Sequence, residues 1–201
     1  GHSLILLAKN FNKFKILGES IDDAVGEAFD KTSKLLGLGY PGGPLIEKLA
    51  KKAQREKKFH LPRPLINDKT MNLSFSGLKT SVRRIIEKNI SQSEKADLAY
   101  EFQKSITECL LKKVNIAMDS CKYYKIKDFV LSGGVASNSF IRNQFKSLCL
   151  VKNINFIVPA KALCTDNATM IAWAGIEKLR NHKIGDRLNT HPQPRWSLES
   201  I

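Results

Sequence analysis

The sequence has no cysteine pair at the C-x-x-C spacing that zinc knuckles and redox motifs use. Its four cysteines, Cys109, Cys121, Cys149 and Cys164, are widely separated along 201 residues. Neither a disulfide framework nor a zinc knuckle is therefore indicated, and a reducing compartment is predicted. Cys109 and Cys121 fall among apolar residues in a helical pattern, where cysteine usually serves as a small buried hydrophobe.

Several catalytic motifs and all long apolar runs are absent as well. The chain contains no G-x-S-x-G, no G-x-x-x-x-G-K-[ST] and no H-E-x-x-H pattern, which excludes the usual signatures of α/β-hydrolases, P-loop nucleotidases and zinc peptidases. The histidines, His2, His60, His182 and His191, are scattered and show no metal-ligand spacing. No apolar run is long enough to span a bilayer, and the start does not resemble a signal peptide.

Acidic residues are few compared with basic ones. Lys and Arg number 33 against 19 Asp and Glu, so the formal net charge is +14 and the pI is about 9.7. Such an excess suits a polyanionic partner, because phosphate neutralisation attracts basic proteins regardless of nucleotide sequence. A generally lysine-rich composition explains it equally well. With 42% hydrophobic residues the chain can bury a core, as one large domain or two small ones.

The hydrophobic periodicity predicts strands first, then helices, then an alternating β-α-β-α section. Two short strands around a polar turn precede a helix that Asp22 can cap and that Gly37 and Gly39 end. The other predicted elements are a helix at 44–54, a short extended piece followed by a helix within 74–89, a helix at 94–121, a loop at 57–72, strands at 128–132 and 154–158, and helices at 138–148 and 165–180. The closing section is typical of parallel strands with helical crossovers, in which ligands bind beyond the carboxyl ends of strands.

Two segments, "LSGG" and "VPAKALCTDN", lie at such strand ends. A buried strand that passes through Gly133 and Gly134 into a helix N-terminus predicts a small anion site of bare backbone N–H groups. Asn138 is either a helix cap or an amide that contacts a ligand. Asp166 is either an N-cap or a carboxylate that holds a divalent metal or orients a phosphate.

Two further features lie in the first helical region. Asp22 and Asp23 suit the dipole of a helix start. Asp30, two turns further on, is either a solvated side chain or a ligand for hydroxyl groups. The Gly42-Gly43 pair between two prolines is either a rigid turn or a place where backbone approaches a flat ligand closely.

Four blocks in one order carry a specific resemblance: "GESIDDAVGEAFDKTSKLLGLGYPGGPLIEKLA", "LSFSGLKTSVRR", "LSGGVASNSFIRNQF" and "CTDNATMIAWAG". Together they resemble the TsaD family, the tRNA N6-adenosine threonylcarbamoyltransferases once called O-sialoglycoprotein endopeptidases. The resemblance implies an α/β fold of the actin/Hsp70/sugar-kinase type, with two ribonuclease-H-like lobes around a nucleotide crevice. It also implies transfer of a threonylcarbamoyl group from threonylcarbamoyl-AMP to N6 of adenosine 37 in tRNAs that read codons starting with A.

The resemblance assigns nucleotide contacts to several positions. Asp30 matches the acid that binds the ribose hydroxyls, Gly43 the turn glycine beside the nucleoside, and Glu47 a further ribose contact. Asn138 matches the asparagine at the nucleotide. The glycines of the phosphate-binding loops are Gly1, Gly133 and Gly134.

Asp166 matches an aspartate ligand of one iron or zinc ion in that family. The chain opens on the last Gly-His of a "SGGHT" loop, with Ser3 in place of threonine, so the resemblance implies that an N-terminal lobe with two histidine ligands is missing. Because a transition metal normally needs several protein ligands, these residues alone are predicted not to catalyse transfer. Residues 1–188 would form the C-terminal lobe, with a helical insertion around 44–121, and residues 189–201 a tail.

The resemblance further implies partners of the TsaB and TsaE type and a cytoplasmic location, or a mitochondrial one for organellar members. Three rivals stay open: a metallopeptidase, a sugar-kinase or chaperone-type ATPase on the same fold, and a non-enzymatic nucleotide-binding or docking lobe.

Overall fold

The computed structural model describes residues 2–54, 58–182, 185, 189–194 and 196–200. Within these residues the architecture is mixed α/β, with two small sheets beside a group of packed helices. The strands are β1 (Leu4–Asn10), β2 (Lys13–Glu19), β3 (Asp128–Val130) and β4 (Asn155–Ile157), and the helices are α1 (Val25–Leu35), α2 (Gly42–Ala50), α3 (Ser76–Ile86), α4 (Gln92–Ser120), α5 (Ser139–Lys152) and α6 (Ala168–His182).

The first sheet is the predicted hairpin. β1 and β2 pair antiparallel, from Leu4 opposite Glu19 to Asn10 opposite Lys13. A Cβ on Gly18 would lie 2.2 Å from the carbonyl oxygen of Met71, so the loop before α3 packs directly against the backbone of β2. The hairpin is thereby fixed to the helical part of the protein.

The second sheet confirms the predicted parallel pair. β3 and β4 run parallel, with Phe129 opposite Phe156, and α5 forms the crossover between them. Phe129 stacks on Phe145 of α5 at 5.2 Å between ring centroids and on Phe156 at 6.3 Å. Both strands are three residues long, shorter than predicted, and the outward-facing Val130 and Ile157 are exposed.

The core lies among α1 to α4. Helix α4 is the longest element, at 29 residues, and it begins with a capping box in which Ser91 and Glu94 each accept a backbone N–H of the other. Phe102 of α4 meets Phe29 of α1 edge to face, at 5.3 Å between ring centroids. Cys109 is buried as predicted, and burial raises the pKa of its thiol to about 11. The long apolar stripe predicted from the sequence is thus the face of α4 that lies in the core.

Asp22 does not cap the helix that follows it, contrary to the prediction. Helix α1 begins three residues later at Val25, and the carboxylate of Asp22 instead accepts hydrogen bonds at the start of α3, from the N–H of Phe75 at 2.8 Å and the hydroxyls of Ser74 and Ser76. Burial by itself would raise the pKa of Asp22, but these hydrogen bonds together lower it below its usual value. Asp22 thus joins two helices that are distant in sequence.

The buried hydroxyl of Thr32 in α1 is unsatisfied among the described residues, and a substitution can remove it. Its Oγ1 is buried and has no hydrogen-bond partner in the part of the chain that the structure describes. Replacing the hydroxyl by a methyl group of the same shape removes an unsatisfied polar atom. We expect Thr32→Val to leave the free energy of unfolding unchanged or to raise it by about 1 kcal/mol in urea unfolding. Thr32→Ser, which keeps the hydroxyl and loses the methyl, should lower it by about 1 kcal/mol, and the opposite order would contradict this explanation.

No helix among the described residues is long and apolar enough to cross a membrane. Helix α6 is nevertheless rich in apolar side chains that remain exposed, among them Met170, Ile171 and Trp173. The C-terminal segment contacts the hairpin, where Oε1 of Glu199 accepts the N–H of Ile16 at 2.7 Å.

Candidate functional site

The first part of the site is the N-terminus of α2. Pro41 precedes the helix and Gly42 and Gly43 begin it, and Oδ1 of Asp30 accepts the N–H of Gly42 at 2.7 Å. A Cβ on Gly42 would lie 2.6 Å from the Cα of Asp30, so α1 and α2 touch through bare backbone here. Gly43 faces open space, with no atom within 4 Å of an added Cβ. Asp30 is thus a helix cap with its second oxygen, Oδ2, in contact with no donor among the described residues.

The second part is the N-terminus of α5, which contacts α2. Oε1 of Glu47 accepts the N–H of Ser139 at 3.1 Å. Asn138 caps α5, since its Oδ1 accepts the N–H of Ile141 at 3.0 Å, and its Nδ2 donates to Gln103 of α4 at 2.8 Å. The sequence had suggested that the first amides of this helix are bare. In the structure two of them already donate to side chains of the protein.

The third part is the loop between β3 and α5. Gly133 has φ +86° and ψ 174°, a conformation that is essentially restricted to glycine. Gly134 begins a 3-10 turn, Gly134–Ser137, which leads to the cap at Asn138. Both glycines are exposed, and their N–H groups donate to no acceptor within the described residues. The loop thus keeps two free backbone donors beside an occupied helix end.

Asp166 lies on a loop that is tied to the same end of α5. Nη2 of Arg142 donates to the carbonyl of Pro159 at 3.0 Å, and Nζ of Lys161 lies 3.3 Å from the hydroxyl of Ser139. Asp166 itself is exposed and does not cap α6, because Oδ1 of Asn167 accepts the N–H of Met170 at 3.1 Å. The described residues contain no group of three His, Cys, Asp or Glu that could hold a metal. One exposed carboxylate does not fit a resident transition metal by itself.

A continuous series of contacts therefore connects most of the predicted positions. It runs from Asp30 through the start of α2 to Glu47, and from Glu47 through Ser139 to Asn138 and the glycine loop. Asp166 is linked to this series only through the loop that carries it, and Gly1 lies outside the described residues.

Sequence reasoning missed several residues of this arrangement. Gly42, rather than Gly43, is the glycine whose lack of a side chain the packing requires. Gln103 and Ser139 hold Asn138 and Glu47 in place, yet no local pattern marks either of them. The two neighbouring glycines between prolines were the only signal; they marked the right segment, although Gly42 and Gly43 form the start of α2 and not a turn.

Two cavities within the described residues lie away from this site. A cleft of about 310 Å³ lies between the end of α2 and the start of α4, and a small cavity of about 40 Å³ lies beside Asp22. Lys58 and Glu94 line the first of these. Hydrogen bonds from Lys58 and Ser91 lower the pKa of the Glu94 carboxyl to about 2. The candidate site is instead an open surface built on two helix ends and a glycine loop.

Comparison with known proteins gives a consistent result. The profile of the family TsaD, tRNA N6-adenosine threonylcarbamoyltransferase, matches residues 1–173. A protein of that name from Wolbachia pipientis wMel is 46% identical over 203 residues, which cover 100% of this chain and 59% of the relative. Proteins of the same name from Pelagibacter ubique and Rhodospirillum rubrum are 44% and 42% identical, over 100% and 99% of this chain and 56% of each relative.

These matches define the chain as a member of a family of tRNA-modifying transferases. That family is TsaD, to which the chain belongs over most of its length. The chain spans less than two thirds of the length of the relatives it matches.

Proposed function

We propose that this chain is the C-terminal nucleotide-binding lobe of a transferase of the actin/Hsp70/sugar-kinase fold, with helices around 44–121 as an insertion. Membership of the TsaD family supports this assignment. The exposed apolar side chains of α6, such as Ile171 at 68% exposure, support a second lobe, because a helix that is apolar on several sides is normally covered. The relatives have the additional length from which such a lobe could be built.

The proposed reaction is transfer of threonylcarbamoyl from threonylcarbamoyl-AMP to N6 of adenosine 37 in tRNAs that read codons starting with A. The names of the relatives support the general reaction class. The net charge of +14 suits an RNA acceptor. Proteins of the TsaB and TsaE type are the proposed partners, and the cytoplasm is the proposed location.

One observation carries the proposal: the glycine loop with free amides leads into the contacts that join Asp30 to Gly42 and Glu47 to Ser139, and Gly43 lies next to Gly42. In the bound state the amides of Gly133 and Gly134 would donate to the phosphate, and Oδ2 of Asp30 would accept from a ribose hydroxyl. Gly43 leaves space for the nucleoside. Because Asp30 and Glu47 already neutralise the N-terminal ends of α2 and α5, the glycine amides are the available anion donors.

A divalent iron or zinc ion belongs to the proposed complete protein, with Asp166 as one ligand. Further ligands would have to come from another lobe, since the described residues supply no group that could hold the ion. We expect the isolated chain to bind nucleotide and to transfer nothing, and threonylcarbamoylation of a tRNA transcript by this chain alone would contradict that.

Asp30→Asn separates binding from folding. The amide oxygen of asparagine can still accept the N–H of Gly42, but its NH₂ group replaces the acceptor that would meet the ribose. We expect the affinity for AMP, measured by titration calorimetry, to fall about 10- to 100-fold, the range of one hydrogen bond to a charged group. The thermal unfolding temperature should stay close to that of the unchanged chain.

Asp128→Asn serves as the matched control, because this exposed carboxylate at the start of β3 accepts only from Asn155 among the described residues. It should leave AMP affinity unchanged. Equal losses of AMP affinity in both variants would show that the effect comes from net charge and would contradict a direct contact of Asp30 with the nucleotide. Absence of AMP binding by the unchanged chain would overturn the nucleotide-binding assignment and favour a lobe that only docks to proteins.

A further inference from the structure

Two adjacent tyrosines project from the surface between α4 and β3. Tyr123 is 97% exposed and Tyr124 is 54% exposed. They belong to a short 3-10 turn, Lys122–Tyr124, which Lys125 ends in the left-handed conformation with φ 48° and ψ 52°. A tyrosine that is almost wholly exposed buries almost no area, so hydrophobic stabilisation of the fold does not account for it.

Lysines adjoin both tyrosines in sequence, and one lysine packs against the Tyr124 ring. Lys122 and Lys125 flank the tyrosines in sequence, and Nζ of Lys9 on β1 lies 5.3 Å from the centroid of the Tyr124 ring. Two elements that are more than a hundred residues apart in sequence thus meet at one surface, the tyrosine patch, which consists of Lys9, Lys122, Tyr123, Tyr124 and Lys125.

The charge of the patch is only weakly compensated. Lys122 lies 4.0 Å from Asp119, whose carboxylate is engaged more closely by Lys152 at 2.7 Å. Exposed contacts at such distances are screened by water and salt and are worth little. The lysines of the patch therefore remain available to an anionic partner.

We propose that the tyrosine patch binds an unpaired segment of RNA, with Tyr123 stacked on a base and the lysines against the phosphates. Accessible aromatic rings among cations are the combination that binds single-stranded nucleic acid, because every base has a face for stacking. Lys9 already lies over Tyr124, so Tyr123 is the ring that offers a free face. The choice of RNA rests on the proposed function.

The turn that carries the patch and the glycine loop of the candidate site lie at opposite ends of β3. The turn with the tyrosines precedes this strand, whereas Gly133 and Gly134 follow it. No residue of the patch takes part in the contacts that connect Asp30, Glu47, Asn138 and the glycine loop. The patch is thus a separate contact for an extended polynucleotide, in addition to the nucleotide-binding residues.

Tyr123→Ala and Tyr123→Phe test the stacking contact. Fluorescence anisotropy would measure binding of a labelled single-stranded oligoribonucleotide, and of a duplex of the same length, to the whole chain. Loss of one stacked base corresponds to an affinity about 5- to 150-fold lower, which we expect for Tyr123→Ala with the single strand. Tyr123→Phe keeps the ring and should bind as the unchanged chain does, and the duplex should respond little to either substitution, because its bases are already stacked.

Lys122→Gln and Lys146→Gln test the position of the charge. Both remove one positive charge, but Lys146 lies on the exposed side of α5, outside the patch. We expect weaker RNA binding only for Lys122→Gln. Equal losses would show binding by general surface charge and overturn the proposal, as would unchanged affinity of Tyr123→Ala or a chain that binds no RNA. AMP binding is measured separately, so failure at the patch leaves the nucleotide-binding assignment untouched.

Discussion

Gly42→Ala is expected to destabilise the protein by about 3 kcal/mol, at the upper end of the cost of overpacking. The new Cβ would lie 2.6 Å from the Cα of Asp30, 2.6 Å from the carbonyl oxygen of Phe29 and 2.8 Å from the Cβ of Ser33. Two of these atoms belong to the backbone of α1, so no side-chain rotation can relieve the contact and the helices must separate. Thermal unfolding should show a midpoint about 6 to 12 °C lower for a chain of this size.

Gly43→Ala is the matched control, one residue further along the same helix. No atom lies within 4 Å of its added Cβ, and alanine is the better helix former. We expect its unfolding midpoint to be unchanged or slightly raised. If nucleotide binds beside Gly43 as proposed, this variant should weaken AMP binding while remaining folded. Equal destabilisation by both substitutions would show that α1 and α2 do not pack as the structure indicates.

Separation of α1 and α2 would also disturb the candidate site. Asp30 and Gly42 are joined by one hydrogen bond across this contact, and Glu47 of α2 holds the start of α5. We therefore expect Gly42→Ala to lower AMP affinity together with stability. Asp30 and Gly42 therefore both position the candidate site and hold α1 against α2.

Local periodicity was sufficient to predict the order and type of the main helices and strands, but not all of their bounds. The apolar stripe of α4 and the alternation of the hairpin each follow from burial of one face, which is a property of the segment itself. The parallel arrangement of β3 and β4 followed from the intervening helix, since such crossovers join parallel strands. The glycine loop after β3 was found because a strand end followed by glycines is a local signal.

Pairings between distant segments could not be predicted in the same way. Asp22 was expected to cap its own helix and instead accepts from the hydroxyls of Ser74 and Ser76, because a carboxylate can serve any donor that tertiary packing brings near. Glu47 meets the amide of Ser139, 92 residues away in sequence. Asn167, not Asp166, caps α6, because the helix starts later than the pattern suggested.

Glu101→Ala is the second substitution for which we expect a large effect. Glu101 has a side chain only 3% exposed on α4, where it accepts from Arg63 and from the N–H of Leu61 at 3.1 Å. Nε of Arg63 also donates to Glu108 at 2.6 Å, and Nη1 to the carbonyl of Leu61 at 2.6 Å. These contacts fasten the segment around residues 61–63 to the centre of α4. Burial opposes the charge on Arg63, but hydrogen bonds to both carboxylates raise its pKa above the usual value.

Removing Glu101 would leave a largely buried guanidinium with one partly exposed carboxylate and a backbone N–H without its acceptor. Loss of one member of a buried ion pair costs about 3 to 5 kcal/mol; because Glu108 remains, we expect a value near 3 kcal/mol in urea unfolding. Glu87→Ala removes the same side chain from an exposed pair with Arg83, where both side chains are more than half exposed, and should cost only about 0.3 to 0.5 kcal/mol. If the two substitutions cost the same, Arg63 and Glu101 are solvated in solution and the 61–63 segment is held by Leu61 and its apolar contacts alone.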